Sequence, residues 1–289
     1  MRNTVDITGM PARASDLYLG TNGVRLRYRD EGRGCAVIFI HGWTLDLDQW
    51  ESQAAALTGQ FRVVRLDRRG FGSSSGLPSI AGDGTDLLAL CEHLGLDSAA
   101  LVGMSQGARV VLEFAKSHPR LTSCLVLDGP PHLGTPEAKD SSHDIPYEHY
   151  RELAQTQGLC AFRREWSEHA LARLRTVDPE AHALLGRMIA RYPGRDLTDP
   201  GGHADAMPLA QGFESVARPV LVVNGEFDLE SRKRIAGRLA SQLPRVECIE
   251  IPNAGHLCNL DNPRAYNDAL KRFLERHASP SQASPSTDH

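Results

Sequence analysis

The stretch Ala99-Ala100-Leu101-Val102-Gly103-Met104-Ser105-Gln106-Gly107-Ala108-Arg109-Val110-Val111-Leu112-Glu113-Phe114-Ala115 decides the fold. It starts as an apolar run of strand type, and Val110, Val111, Phe114 and Ala115 then recur at helical spacing. A strand that turns into a helix within a few residues strains the backbone at the tip and brings two backbones close together. Gly103 and Gly107 supply the small residues such an approach needs. The side chain at the tip stands clear of the sheet, and the first amides of the new helix point at whatever binds beside it. Ser105 is therefore presented as a nucleophile, and the Gln106 N–H as an anion donor.

The spacing G-x-S-x-G occurs a second time, at Gly72-Ser73-Ser74-Ser75-Gly76. Leu77-Pro78 follows where a helix would have to start, so Ser74 reads as a loop residue. Working outward from Ser105, further apolar runs cover Ala36 to Ile40, Phe61 to Leu66, Leu121 to Leu127, Val220 to Val223 and Val246 to Ile251. Helical patterns such as Leu87 to Leu94 and Ile235 to Leu243 separate them. Strands alternating with helices, with runs apolar on both faces, predict an α/β architecture with a mostly parallel sheet. The pair Leu17 to Leu19 and Val24 to Tyr28, joined through Gly20-Thr21-Asn22-Gly23, predicts an antiparallel hairpin at one sheet edge.

These motifs, taken in order, resemble the α/β-hydrolase family, in its serine-nucleophile branch. The matching segments are His41-Gly42-Trp43, Asp67-Arg68-Arg69-Gly70-Phe71-Gly72, the Ser105 turn, Gly225-Glu226-Phe227-Asp228 and Ala254-Gly255-His256. The resemblance covers about residues 15 to 277, and Ser, Asp, His is the order that family uses. The resemblance implies an eight-stranded sheet flanked by helices, with a helical cap inserted after the sixth strand. It also implies a triad of Ser105 as nucleophile, His256 as base and Asp228 as the acid that orients it, with the backbone amides of Gln106 and Trp43 as oxyanion donors. Asp128, at the end of the sixth strand, is the competing acid. A Gly-x-x-Asp loop after the seventh strand is the commoner family arrangement, whereas Asp128 runs into Gly129-Pro130-Pro131 and suits a strand-end cap. His41 reads as a brace for its own loop, and Arg68 and Arg69 as residues that hold neighbouring turns.

Between Asp128 and Val220 the pattern becomes helical: Pro146 to Gln157, Cys160 to Leu174, and Asp178-Pro179 through Arg191, the last with an N-cap aspartate and a proline at the first helical position. Pro200-Gly201-Gly202 then breaks the chain. The expected organisation is a core of residues 15–128 and 218–277, a cap over 129–217 and a disordered tail over 278–289, which is rich in Ser and Pro. Trp43 and Trp166 are the expected substrate-binding aromatics.

With 289 residues, 41% of them hydrophobic, the chain has enough length for a single large α/β domain plus cap. A formal net charge of −4 argues against a nucleic-acid partner. The six cysteines, without any C-x-x-C, read as small buried hydrophobes in a reducing compartment. No leading apolar segment or membrane-length run is present, so no membrane partner is expected and the location expected is cytoplasmic. No cofactor and no metal are expected, and a homodimer is left open. A serine at the tip disfavours haloalkane dehalogenase and epoxide hydrolase chemistry, which needs a carboxylate there. Other segments resemble small esterases, enol-lactonases and cofactor-free haloperoxidase and arylesterase-like proteins. The expected function is hydrolysis of a small to medium apolar ester or lactone through an acyl-enzyme on Ser105. The alternatives are hydrolysis of a carbon–carbon bond in a vinylogous diketone, and a ligand receptor that retains the triad.

Overall fold

Alternation along the strands assigns each residue to one face of a central sheet, since successive side chains point to opposite sides. In a computed structural model that describes residues 15–131, 145–199 and 212–278, eight strands form one sheet in the order β1-β2-β4-β3-β5-β6-β7-β8. They are β1 (Leu17–Thr21), β2 (Val24–Gly32), β3 (Ala36–Ile40), β4 (Arg62–Leu66), β5 (Ala99–Met104), β6 (Thr122–Asp128), β7 (Val220–Gly225) and β8 (Val246–Ile251). The β1–β2 pair is an antiparallel hairpin at the edge, and β2 also runs antiparallel to β4. All the other pairings are parallel.

On one face, Ile38, Ile40, Leu101, Leu125 and Val222 pack with helices α2 (Ile80–His93), α3 (Gln106–Ser117) and α8 (Glu230–Gln242). On the other, Val37, Phe39, Val102, Val126 and Val223 pack with α1 (Glu51–Leu57) and α10 (Pro263–His277). That second cluster continues without a break into the segment between β6 and β7. There the chain forms α4 (Tyr147–Gln157), α5 (Leu159–Ser167), α6 (Pro179–Arg191) and a single turn α7 (Arg195–Thr198). Asp178 caps α6 through the Glu180 N–H, with Pro179 in the first turn. Arg191 on α6 donates to Asp46 and Asp48 of the loop after β3, so the inserted helices are ion-paired to the sheet end. A short α9 (Cys258–Asp261) precedes α10.

Two expectations need correcting. The helix expected over Cys160 to Leu174 stops at Ser167, where the chain closes on the Glu168 N–H to Glu165 O bond and continues as turns. Leu171 and Ala172 are apolar for a different reason, because they wall a cavity. The cysteines are not uniformly buried: Cys91, Cys124 and Cys258 are, but Cys160 and Cys248 are exposed and Cys35 is intermediate. Cys160 sits in the first turn of α5, and Cys248 lies on the half-exposed edge strand β8. The Pro200-Gly201-Gly202 break and residues 279–289 of the expected tail lie outside the described residues, while Ala278 is buried and donates its N–H to Leu274 O.

The close approach at the Ser105 turn is measurable. A Cβ added to Gly107 would lie 2.3 Å from Ile40 O of the neighbouring strand, and one added to Gly103 would lie 2.3 Å from Gly107 O. Helix propensity alone favours alanine over glycine by about 1 kcal/mol. The backbone clash outweighs that gain, so Gly107→Ala is expected to lower the unfolding free energy by about 3 kcal/mol. Urea denaturation followed by circular dichroism measures it, and a stabilised variant would contradict the packing described.

Candidate active site

Ser105 occupies the tip between β5 and α3 with φ 51° and ψ −116°, outside the regions L-residues ordinarily populate. Such a residue costs about 1–3 kcal/mol and persists only where its surroundings hold it. Its N–H donates to Asp128 O at 2.8 Å, and its C=O accepts from the Ala108 and Arg109 N–H groups as α3 begins. The Gln106 N–H is the first of the helix and has no acceptor within it. The Gln106 side chain is turned away, its Oε1 accepting from Arg68 at 3.0 Å.

His256 follows β8 in a loop fixed from three sides by one carboxylate. Asp261 accepts from the Gly255 N–H at 2.8 Å and from the N–H groups of Arg175 at 2.6 Å and Thr176 at 3.0 Å. The His256 Nδ1 lies 3.1 Å from both carboxylate oxygens of Asp228. Asp228 also accepts from Asn224 Nδ2 at 3.0 Å and from the Leu229 N–H at 2.8 Å. Burial pushes the Asp228 carboxyl up, but the His256 charge and these hydrogen bonds outweigh it and hold it below the usual carboxylate range. Gly129, with φ 51°, passes over the imidazole: a Cβ there would lie 2.7 Å from His256 Cε1.

Asp128 does not reach the imidazole by any hydrogen bond among the described residues. Its Oδ1 accepts from the Cys258 thiol at 3.1 Å. Burial pushes its carboxyl up to about 7; the thiol bond lowers it and the negative Asp228 nearby raises it. Asp128 thus holds its proton more tightly than Asp228 does.

The loop after β3 carries His41-Gly42-Trp43-Thr44 to the same sheet end. His41 Nδ1 donates to Gly42 O at 2.7 Å and Nε2 accepts from the Arg68 N–H at 3.0 Å, which fixes one neutral tautomer. Burial, helped by the Arg68 charge, lowers the His41 pKa to about 3, so it stays neutral. Because a trans peptide is planar, the bond to Gly42 O restrains one edge of the plane that carries the Trp43 N–H, whose far corner is the Trp43 Cα. Arg68 pairs with Asp83 at 2.7 Å and Arg69 with Asp86 at 2.7 Å, so both arginines hold turns together. Ser74 is likewise structural, accepting from the Arg27 N–H at 2.8 Å and donating to Asp67 O at 2.7 Å.

Ser105, His256, Trp43, Thr44, Met104 and Leu257 line a pocket whose remaining wall comes from Leu45 and from Ile145, Trp166, Leu171, Ala172 and Leu185 of the inserted segment. Of the residues singled out in the sequence, Trp43 and Trp166 therefore meet at the pocket, 4.8 Å apart edge to face. Trp43 Nε1 donates to the buried Asp196 at 2.6 Å and Trp166 Nε1 to Thr44 Oγ1 at 2.8 Å. Sequence reasoning missed Asn224, Thr44 and Asp196. Only Asn224 carried a usable signal, as a polar residue ending an otherwise apolar strand.

Comparison with known proteins agrees with this architecture. A family model described as the alpha/beta hydrolase fold matches residues 36–263. The chain is 30% identical over 244 residues to a protein assigned as the carbamate hydrolase RutD of Caulobacter sp. (strain K31), covering 79% of this chain and 86% of that protein. Among solved structures, a thermophilic esterase from Thermogutta terrifontis superposes with a TM-score of 0.77 at 28% identity, over 91% of this chain and 99% of its own. The enol-lactonase from Burkholderia xenovorans LB400 gives 0.77 at 25% identity, over 90% and 100%. The sheet order, the helical segment after β6 and the matched length lead to one conclusion: this chain belongs to the α/β-hydrolase fold family and is a hydrolytic enzyme.

Proposed function

We propose that the chain is a serine hydrolase that cleaves a carboxylic ester or lactone of a small to medium apolar molecule through an acyl-enzyme on Ser105. The observation that carries this reading is the placement of His256 between the Asp228 carboxylate and a pocket that also holds Ser105. A serine hydroxyl attacks well only when a base takes its proton, and a neutral imidazole does so near neutral pH. His256 then returns that proton to the leaving alkoxide, and Asp228 holds the Nδ1–H tautomer and stabilises the imidazolium. The Trp43 and Gln106 amides receive the oxyanion of the tetrahedral intermediate, where each such donor contributes about 2.7–4 kcal/mol. Water, activated by the same imidazole, releases the acid and restores the serine.

In this reading residues 129–217 act as a cap over a core of 15–128 and 218–277, and the apolar pocket wall selects an uncharged acyl group. No helix among the described residues is long and apolar enough to cross a membrane. The family's esterase and enol-lactonase structures supply the two ester classes to test. A panel of p-nitrophenyl esters of graded acyl length, run beside small lactones, is expected to give linear product with the highest kcat/KM at short to medium acyl chains. A stoichiometric burst followed by a stall with every substrate would reject the enzyme reading in favour of a ligand receptor.

A further inference from the structure

Thr44 lies in the left-handed region at φ 62°, where a β-branched side chain is a backbone outlier. It immediately follows Trp43, whose amide is the oxyanion donor in the function proposed above, and this inference rests on that reading. The residues on either side of the turn are anchored elsewhere. Gly42 O is held by His41, and the Leu47 N–H by Asp67 at 2.8 Å. A Thr44 that relaxed toward its preferred backbone would shift the Trp43 Cα and so pivot the Gly42–Trp43 peptide plane, with its N–H, about the pinned Gly42 O. What holds it is a buried hydrogen bond from the Trp166 indole, which reaches Thr44 Oγ1 at 2.8 Å from a position far along the chain in α5. The same indole forms part of the pocket wall and stacks on His169 at 4.9 Å.

We propose that Trp166 is a positioning residue for the reaction: its N–H holds the strained Thr44 and, through it, the Trp43 amide in the geometry that receives the oxyanion. The inserted helices then do more than enclose the substrate, because they complete the donor set. Losing the N–H while keeping an aromatic ring should slow the chemical step and leave ground-state binding nearly unchanged, since the oxyanion exists only beyond the ground state.

The test is a double-mutant cycle between Trp166→Phe and Thr44→Val, the second of which keeps the β-branch and removes the acceptor. With p-nitrophenyl acetate, each single variant is expected to lower kcat by about tenfold, close to 1.4 kcal/mol, with KM within about twofold. The double variant should be no slower than the singles, and Thr44→Ser, which keeps the oxygen, should retain more of the rate than Thr44→Val. The second-order rate of labelling by a small fluorophosphonate should fall in parallel, which gives a readout independent of turnover. Additive losses in the cycle, or a raised KM with kcat unchanged, would overturn the proposal, as would a lower melting temperature with normal labelling. Ser105→Ala run alongside separates the two levels. If that variant still turns over ester, the nucleophile assignment fails; if it is dead and Trp166→Phe is normal, only the positioning role fails.

Discussion

Ser105→Ala is expected to lower ester turnover by roughly five to six orders of magnitude, the loss typical of removing the nucleophile from a cooperating triad. Fluorophosphonate labelling should disappear with it. The fold should survive, because Ser105 is held through its backbone, by its N–H to Asp128 O and its C=O to the Ala108 and Arg109 amides. An alanine at φ 51° carries the same strain as the serine it replaces. Ser74→Ala supplies the contrast. It removes two hydrogen bonds of the loop after β4 and so reduces stability, by about 1–3 kcal/mol where a buried amide loses its acceptor. Labelling by the probe should nevertheless continue. Labelling that persists in the Ser105 variant would move the nucleophile elsewhere.

The second large effect separates the two carboxylates. Asp228→Asn should cut kcat by about 10⁴, because an amide nitrogen facing Nδ1 favours the wrong imidazole tautomer. Asp128→Asn should cost no more than about tenfold, since its carboxyl accepts from the Cys258 thiol and an amide oxygen can do the same. It has a distinct signature in stability. Burial raises the Asp128 pKa to about 7, against about 3.9 in an unfolded chain. Between those values the folded state holds more protons than the unfolded state, so this group lowers stability as pH rises through the window. Asparagine does not titrate. The Asp128→Asn protein should therefore gain stability relative to the parent on going from pH 5 to pH 8, read as the difference in urea midpoint. A 10⁴-fold loss from Asp128→Asn, with Asp228→Asn mild, would exchange the two roles.

How far the sequence could be read depended on where the determining contacts lay along the chain. β3 and β8 match their expected bounds of Ala36–Ile40 and Val246–Ile251, because both are short β-branched or alternating runs closed by turn residues. The same local logic fixed the β1–β2 hairpin, whose Asn22 and Gly23 both take positive φ. α2 was legible only over its second half. Its first half, Ile80-Ala81-Gly82-Asp83-Gly84-Thr85-Asp86, has two glycines and little apolar periodicity. It is helical because Ser79 caps Gly82 and because Arg68 and Arg69, 15 and 17 positions back, engage Asp83 and Asp86, side-chain pairings that apolar periodicity does not report. α5 failed in the opposite sense. Trp166, Ala170 and Leu174 continue a helical period beyond Ser167, yet Ala170 and Leu174 lie outside any helix. Periodicity reports that residues are apolar and cannot say whether a helix face or a cavity wall buries them.

Within the site, the turn at Ser105 and the loop before His256 could be read because glycine spacing and strand ends are local signals. For Asp228 against Asp128 the sequence offered the family's loop habit and the Gly129-Pro130-Pro131 run after Asp128; in the structure it is Asp228 that lies 3.1 Å from His256 Nδ1. The bonds that tie the loop after β3 to the inserted helices, Trp166 to Thr44 and Trp43 to Asp196, join residues more than a hundred positions apart. A tryptophan in a helical pattern looks the same whether its N–H faces solvent or a strained threonine.

The central claim, that a covalent acyl-enzyme forms on Ser105, is tested most directly by mass spectrometry of the protein quenched with acid during turnover of a slowly deacylating ester. The tryptic peptide covering residues 70–109 contains Ser105 as well as Ser73, Ser74, Ser75, Ser79 and Ser98, so fragment ions must locate the adduct. One acyl group per chain is expected, carried by fragments that include Ser105 and absent from those ending before it. An acyl group on the Ser73 to Ser75 stretch, or steady turnover with no adduct at Ser105 even with the slowest ester, would contradict it.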